Sequence, residues 1–489
     1  MPTKSNIQVS KLKGNFYARW RSQEGSITQL RETPGAMPAE SLLQAIWQHQ
    51  RVLRDQLTTL DGKPVRILHP GFRSFSSGPD FRNSIVQIGQ EPARTGDVEV
   101  DLHTSGWCAH GHDRNPEFRS VILQVVWDGD IPAGRTIPVV ALKARLDASL
   151  AELGEALGRE PVAALPESLQ GRCCSPLRDF TTEKLGQLLH EAAEVRRRLK
   201  ADYFRSRARQ VGWEQALWEG LFRALGYKQN VWPMHTLAEA RNRWLGGRPS
   251  NSLLQARLMG ISGLLPDQPT RRQESADSSL RRIWDQWWRE RDQFEDCLIP
   301  KAAWRLNGIR PANHPQRRLA LAAHWLNDAT LLPRLEKWFS SEMPDMELAD
   351  SLLKVFQVDE DEFWSWHWSL RSERMPRAQP LLGVARVTDL AVNVVLPWLW
   401  IRALEGGNEA LQRVAEQRYF HWPAAEDNSV LRLARRRLLG GMKPGVLRGA
   451  ASQQGLLQIV RDFCDHSNSL CDNCQFPRLV TEFANYQAA

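Results

Sequence analysis

The sequence predicts an α+β protein: a small mixed or antiparallel sheet with a flanking helix near the N-terminus, then a large, mainly α-helical domain. Three observations predict it. Short apolar runs of strand character follow one another between residues 65 and 142, punctuated by Gly, Pro and Asp turns. Beyond Pro161 the apolar residues recur at i, i+3 and i+4 instead, the spacing of one helix face. Finally, 489 residues are too many for a single hydrophobic core, so the chain must divide into domains.

Residues 1–36 mix polar and basic types and read as a loosely packed N-terminal extension, closed by Pro34, Gly35 and Pro38. Domain 37–160 opens with a helix, because Leu42, Leu43, Ile46 and Trp47 form one stripe; Asp61-Gly62 marks the turn that ends this stretch. Strands are predicted over 65–68, 84–88, 98–103, 121–127 and 137–142, with a loop from His69-Pro70-Gly71 to Gly78-Pro79-Asp80. The run 121–127 is apolar almost throughout, as in a central strand covered on both faces. Residues 161–489 read as helical, over 182–209, 213–225, 253–265, 280–298, 319–326 and later segments to Leu439, with a subdomain break near the polar stretch 267–279. No repeat of regular length runs through them, which argues against a solenoid.

Composition narrows the function. The chain is 42% hydrophobic and 25% charged, which suits a folded protein rather than a disordered one. No uninterrupted apolar run reaches the ~18 residues of a membrane span, and none follows Met1 as a secretory leader does, so a cytoplasmic protein with no membrane partner is expected. Basic residues number 64 against 56 acidic, and only 12 of the 64 are lysine. Arginine grips phosphate bidentately, so this balance permits nucleic acid as a partner. Of 20 tryptophans, 16 lie beyond residue 200. They are read as packing anchors between helices, with base stacking the second reading. Seven cysteines are too few for a disulfide scaffold and point to reduced thiols or metal ligands.

The densest chemistry lies in the sheet. Side chains alternate along a strand, so Glu99, Asp101 and His103 share one face, and Val98, Val100 and Leu102 the other. Asp80 heads the neighbouring strand, presented by Gly78-Pro79, and His110-Gly111-His112 follows within ten residues of His103. Carboxylates and imidazoles of this kind hold Mg²⁺, Mn²⁺ or Zn²⁺, and such a cation activates water. The competing reading is the solvated face of an edge strand.

The segments Glu40…Ile46-Trp47, Gly78-Pro79-Asp80-Phe81, Gly96-Asp97-Val98-Glu99 and Trp107…His110-Gly-His112 resemble a bacterial family of unknown function, domain-of-unknown-function family 2851. Arg310-Pro311-Ala-Asn313-His-Pro315…Arg318, Asn393…Pro397 and Gln454-Gly455-Leu456 extend that likeness along nearly the whole chain from Glu40. The same N-terminal region resembles the restriction-endonuclease-like PD-(D/E)XK nucleases, in which an Asp heads one strand, Glu-x-Lys lies on the next, and a Glu often sits on a preceding helix. That resemblance implies Glu40, Asp80 and Glu99 as metal ligands. The lysine position holds Asp101, and the nearest basic group on that face is His103.

At the C-terminus, Cys464, Cys471 and Cys474 cluster within eleven residues, a spacing that suits zinc or an iron–sulfur cluster. It resembles the first three ligands of the cluster in helical DNA glycosylases. Cys173 or Cys174, or His466 for zinc, is the candidate fourth ligand. The basic run with Arg196, Arg197, Arg198 and Lys200, and the loop carrying Arg310, are candidate phosphate contacts, set against ordinary solvated helix faces and caps. No phosphate-binding glycine loop, dinucleotide fingerprint or serine-hydrolase elbow occurs. The resulting expectation is a metal-dependent, nucleic-acid-processing enzyme hydrolysing phosphodiesters, with Mg²⁺ or Mn²⁺ at Asp80 and Glu99 beside Asp101, His103 and Glu40. A non-catalytic nucleic-acid- or protein-binding scaffold, or a zinc hydrolase using His103, His110 and His112, are the alternatives.

Overall fold

The computed structural model describes residues 14–24, 37–74, 78–130, 137–157, 174–247, 249–266, 279–427, 429–440, 445–464 and 474–486. They form a mixed sheet with a flanking helix and a large helical remainder. The α+β reading therefore holds.

The sheet contains β1 (Val65–His69), β2 (Phe72–Arg73), β3 (Phe81–Ile88), β4 (Arg94–His103), β5 (Val121–Asp128) and β6 (Val139–Ala141). Its order is β1-β3-β4-β5-β6, with the two-residue β2 also pairing with β3. The first half is antiparallel, whereas β4–β5 and β5–β6 are parallel. Residues 104–120 make the crossover between β4 and β5, carrying a helical turn (Gly106–Ala109) and a 3-10 turn (Pro116–Phe118). Between Phe81 and Ser84 the register of β3 slips, and Asn83 takes up a positive φ of 56° there.

The helix Glu40–His49 ends where Gln50 turns left-handed at φ 51° and its N–H caps the carbonyls of Ile46 and Trp47. Leu42, Leu43, Ile46 and Trp47 join Val98, Val100, Leu123 and Val125 in one core. At ~25 cal/mol per Å², burying each such side chain contributes about 1.5–3 kcal/mol. The aliphatic face of β4 lies inward as its alternation predicts. The edge-strand reading of the opposite face does not hold: β4 is flanked by β3 and β5, and Glu99 and Asp101 are buried.

Contacts divide the chain into one unit of residues 1–199 with 424–489, and another of 200–423. The division falls within the helix Thr182–Val211; most of the stretch 267–279 lies outside the described residues. The first unit has a second, all-helical core, and residues 14–24 correct the reading of 1–36 as a loose extension. Phe16–Glu24 is a helix whose Tyr17 and Trp20 are buried with Leu188, Leu189, Phe463 and Phe483. Tyr17 donates to Asp462 at 2.7 Å, and Trp20 to Glu482 at 2.9 Å.

In the second unit Trp244, Trp325, Trp364 and Trp422 are among the largest fully buried side chains, which supports the packing role of tryptophan. Each of their indole N–H groups has an acceptor: the carbonyls of Leu237 and Phe356, Gln255 Oε1 and Thr388 Oγ1. One helix here, Val384–Glu405, is long and apolar enough by length and composition to cross a bilayer, although it holds no uninterrupted apolar run of that length. Arg386, Asp389 and Arg402 interrupt it, and 78% of its most apolar stretch is buried inside the protein, as in a core helix.

Candidate metal centre

The buried face of β4, the head of β3 and the start of the helix Glu40–His49 bring four carboxylates together. Asp80 precedes β3, whose Phe81 pairs with Val98, so Asp80 lies beside Glu99 and Val100. The Asp80 N–H donates to Glu99 Oε2 at 3.1 Å, and the Val100 N–H donates to Asp80 Oδ2 at 3.1 Å. Gln44, one turn along the helix from Glu40, donates to Asp80 Oδ1 at 2.9 Å and to Glu40 Oε1 at 3.3 Å. Arg73 donates to the Gln44 oxygen at 2.7 Å. One amide thus ties the helix to the strand head.

On the crossover side, His110 Nδ1 lies 3.1 Å from Asp101 Oδ1, and His112 Nε2 lies 3.1 Å from Glu99 Oε1. Gly111 has a φ of +73°, a left-handed turn that a side chain would strain, and it lets both imidazoles face β4. Phe118 stacks on His112 at 3.9 Å, and Trp107 meets it edge-on at 5.4 Å. The second Asp101 oxygen accepts from Gln124 Nε2 at 2.6 Å, from within β5. Asp101, His110 and His112 offer ligand atoms within 4.8 Å of one another.

Electrostatics follow from this crowding. Burial, then the Asp80 charge, push the Glu99 carboxyl up to about 9. Burial raises Asp80 to about 6, against the Val100 and Gln44 hydrogen bonds that favour its charged form. Glu40 is also raised, by burial first and by Asp101 second. Protons or a cation must offset this concentration of negative charge.

Of the residues singled out from sequence, Glu40, Asp80, Glu99, Asp101, His110 and His112 meet here. His103 does not. It ends β4, where strand alternation ceases to control direction; its exposed ring contacts the Asp128 carbonyl at 3.3 Å and Met37 Sδ at 3.1 Å. Asp101 therefore stands with the two histidines where His103 was expected. Gln44, Gln124 and Gly106 were missed. Gln124 had left a signal: one amide within the apolar run 121–127 needs a buried partner. Gly106 left none, yet a Cβ there would fall 2.5 Å from Asp101 Oδ1.

The basic run faces the protein. Arg197 is fully buried, so it is not available to phosphate. Arg196 donates to Gln454 at 2.7 Å, Arg198 pairs with Glu194 at 2.6 Å, and Lys200 bonds Asn393. These acceptors lie on the same helix one turn away or hundreds of residues distant, so the local run could not disclose them. Arg310 is exposed just before the turn Pro311–Asn313. Cys464 and Cys474 are both half-buried against the N-terminal unit's helical core. Cys174 is buried at the start of a short helix, while Cys173, His466 and Cys471 lie outside the described residues.

No curated protein and no solved structure matches the chain. The model of a family described as protein of unknown function (DUF2851) matches residues 40–429, from the helix that carries Glu40 to beyond the second unit, and the chain belongs to that family.

Proposed function

We propose that this protein is a divalent-cation-dependent phosphodiesterase acting on nucleic acid, with Asp80, Glu99 and Asp101 as its cation-holding carboxylates. The observation that carries the reading is the convergence of Glu40, Asp80, Glu99 and Asp101 on one pocket, where each raises or feels the charge of another. Their origins, a helix, a strand head and the middle of the next strand, match the plan of the restriction-endonuclease-like nucleases. Asp101 in place of lysine changes the chemistry: it adds an anionic ligand and no positive charge.

A bound cation would supply Lewis acidity toward a phosphate oxygen and an acidified water. The chain supplies the rest. Gln44 and the Val100 N–H hold both oxygens of Asp80, and the Asp80 N–H holds one oxygen of Glu99, so these carboxylates are fixed in direction beforehand. Glu40, at the helix start with its affinity for protons raised, is placed to accept the proton of attacking water. Cys464 and Cys474 against one core support a structural metal or iron–sulfur cluster at the C-terminus, which anaerobic purification and visible absorbance test.

Cleavage of single- and double-stranded DNA and RNA in Mn²⁺ and Mg²⁺ tests the central proposal, comparing wild type with Asp80→Asn and Glu99→Ala. Wild type cuts at least one of them, and each variant loses the activity. Equal cleavage by wild type and variants, or none by any, overturns the proposal. Retained nucleic-acid binding without cleavage would leave a binding scaffold.

A further inference from the structure

We infer that Asp101, His110 and His112 form a second seat for a first-row transition-metal ion, one that discriminates against Mg²⁺ and shares Asp101 with the carboxylate position. The inference uses the same pocket as the hydrolytic proposal but does not depend on hydrolysis. Two imidazoles and one carboxylate make a mixed nitrogen–oxygen donor set. Mg²⁺ favours an all-oxygen shell and parts reluctantly with water, whereas Mn²⁺, Fe²⁺, Co²⁺ and Zn²⁺ accept imidazole readily.

The geometry suits one ion. Donors about 2.1 Å from a common metal lie roughly 3–3.4 Å apart, and the Asp101–His110 separation is 3.1 Å. All the donor atoms lie within 4.8 Å of one another. Three protein donors leave coordination positions open for water. Glu99, 3.1 Å from His112, is the neighbouring carboxylate able to reach toward this seat while its other oxygen stays with the Asp80 N–H.

Supporting contacts fix the donors. Gln124, fully buried, clamps one oxygen of Asp101 and leaves the other toward His110. The Phe118 ring holds the plane of His112. Such outer contacts orient ligands and tune affinity. Gly106 opens the space above Asp101 Oδ1, which any Cβ at that position would fill. His110, about half exposed, gives the ion access from solvent.

The test titrates the metal-stripped full-length protein with Co²⁺ and, separately, with Mg²⁺. Co²⁺ bound by nitrogen and oxygen gives visible d–d absorption, and Co²⁺ at the cysteines adds a thiolate charge-transfer band that separates the two locations. Wild type shows the d–d signal at one ion per chain and binds Mg²⁺ more weakly. His110→Ala and His112→Ala lose the d–d signal and weaken Co²⁺ by more than the roughly 10–100-fold that a supporting residue controls, with Mg²⁺ affinity unchanged. Gly106→Ala gives the same loss without removing a donor. His110 is exposed enough for its alanine variant to fold, as circular dichroism verifies. Unchanged Co²⁺ binding in both histidine variants, or equal affinity of wild type for Mg²⁺ and Co²⁺, overturns the inference. A retained Co²⁺ signature in a protein that cleaves no nucleic acid overturns only the hydrolytic proposal.

Discussion

Glu99 links the charge of the pocket to a measurable pH dependence. Its carboxyl is raised from 4.5 to about 9 and Asp80 from 3.8 to about 6, so from pH 7 to 9 Asp80 is charged while Glu99 still holds its proton. A cation entering the pocket must expel that proton. Its apparent affinity therefore rises about tenfold per pH unit below pH 8, roughly 50-fold from pH 7 to 9, and levels off above about 9. Stability runs the other way. The native state keeps a proton that the unfolded chain loses near 4.5, so this contribution is complete below that pH and disappears as pH rises through about 9. With 1.36 kcal/mol per unit, the loss amounts to roughly 3 kcal/mol by pH 7. Isothermal titration with Mn²⁺ in two buffers of different ionisation enthalpy measures the released proton directly, about one per ion near pH 7.5. Glu99→Gln keeps the shape, cannot release a proton, and flattens the slope. An unchanged slope in that variant, or a pH-independent wild type, refutes the reasoning.

Gln124→Leu removes the clamp on Asp101, and metal affinity falls about 10–100-fold while the fold survives, as parallel titrations and melting curves establish. Arg207 grips Glu219 with N–H groups at 2.6 and 3.1 Å, and Glu219 is fully buried. Arg207→Ala leaves that carboxylate unpaired and costs about 3–5 kcal/mol in chemical denaturation. Trp364→Ala empties a fully buried site, with a loss of about 3–5 kcal/mol by the same measurement. In metal-free protein the melting temperature falls between pH 5 and 9, and saturating Mn²⁺ reduces that fall, which differential scanning calorimetry follows.

Local patterns carried the sheet and half of the site. Alternation along β4 placed Val98 and Val100 in the core and Glu99 with Asp101 opposite, because those faces are set by backbone geometry. The same parity argument failed for His103 because the strand ends there. It also could not say that Glu99 and Asp101 are buried, since burial depends on β5 and on the crossover that covers them. Helical spacing found the large helices but not Phe16–Glu24, whose apolar residues are few and whose partners, Asp462 and Glu482, lie more than 440 residues away. The arginine run misled for a related reason. A charge pattern on one helix reports nothing about which acceptors the fold brings to it, and Gln454 and Asn393 are remote in sequence. Gly106 is informative only once Asp101 is seen beneath it.

Anomalous diffraction from crystals soaked in Mn²⁺ and measured at the manganese edge probes the pocket without relying on any activity. A strong peak bounded by the carboxylates of Glu99 and Asp101, with an imidazole from the 110–112 turn in its shell, is the result this account requires. Density that stays flat there at saturating manganese, with Glu99 still against His112 and Asp101 still held by His110 and Gln124, would contradict it.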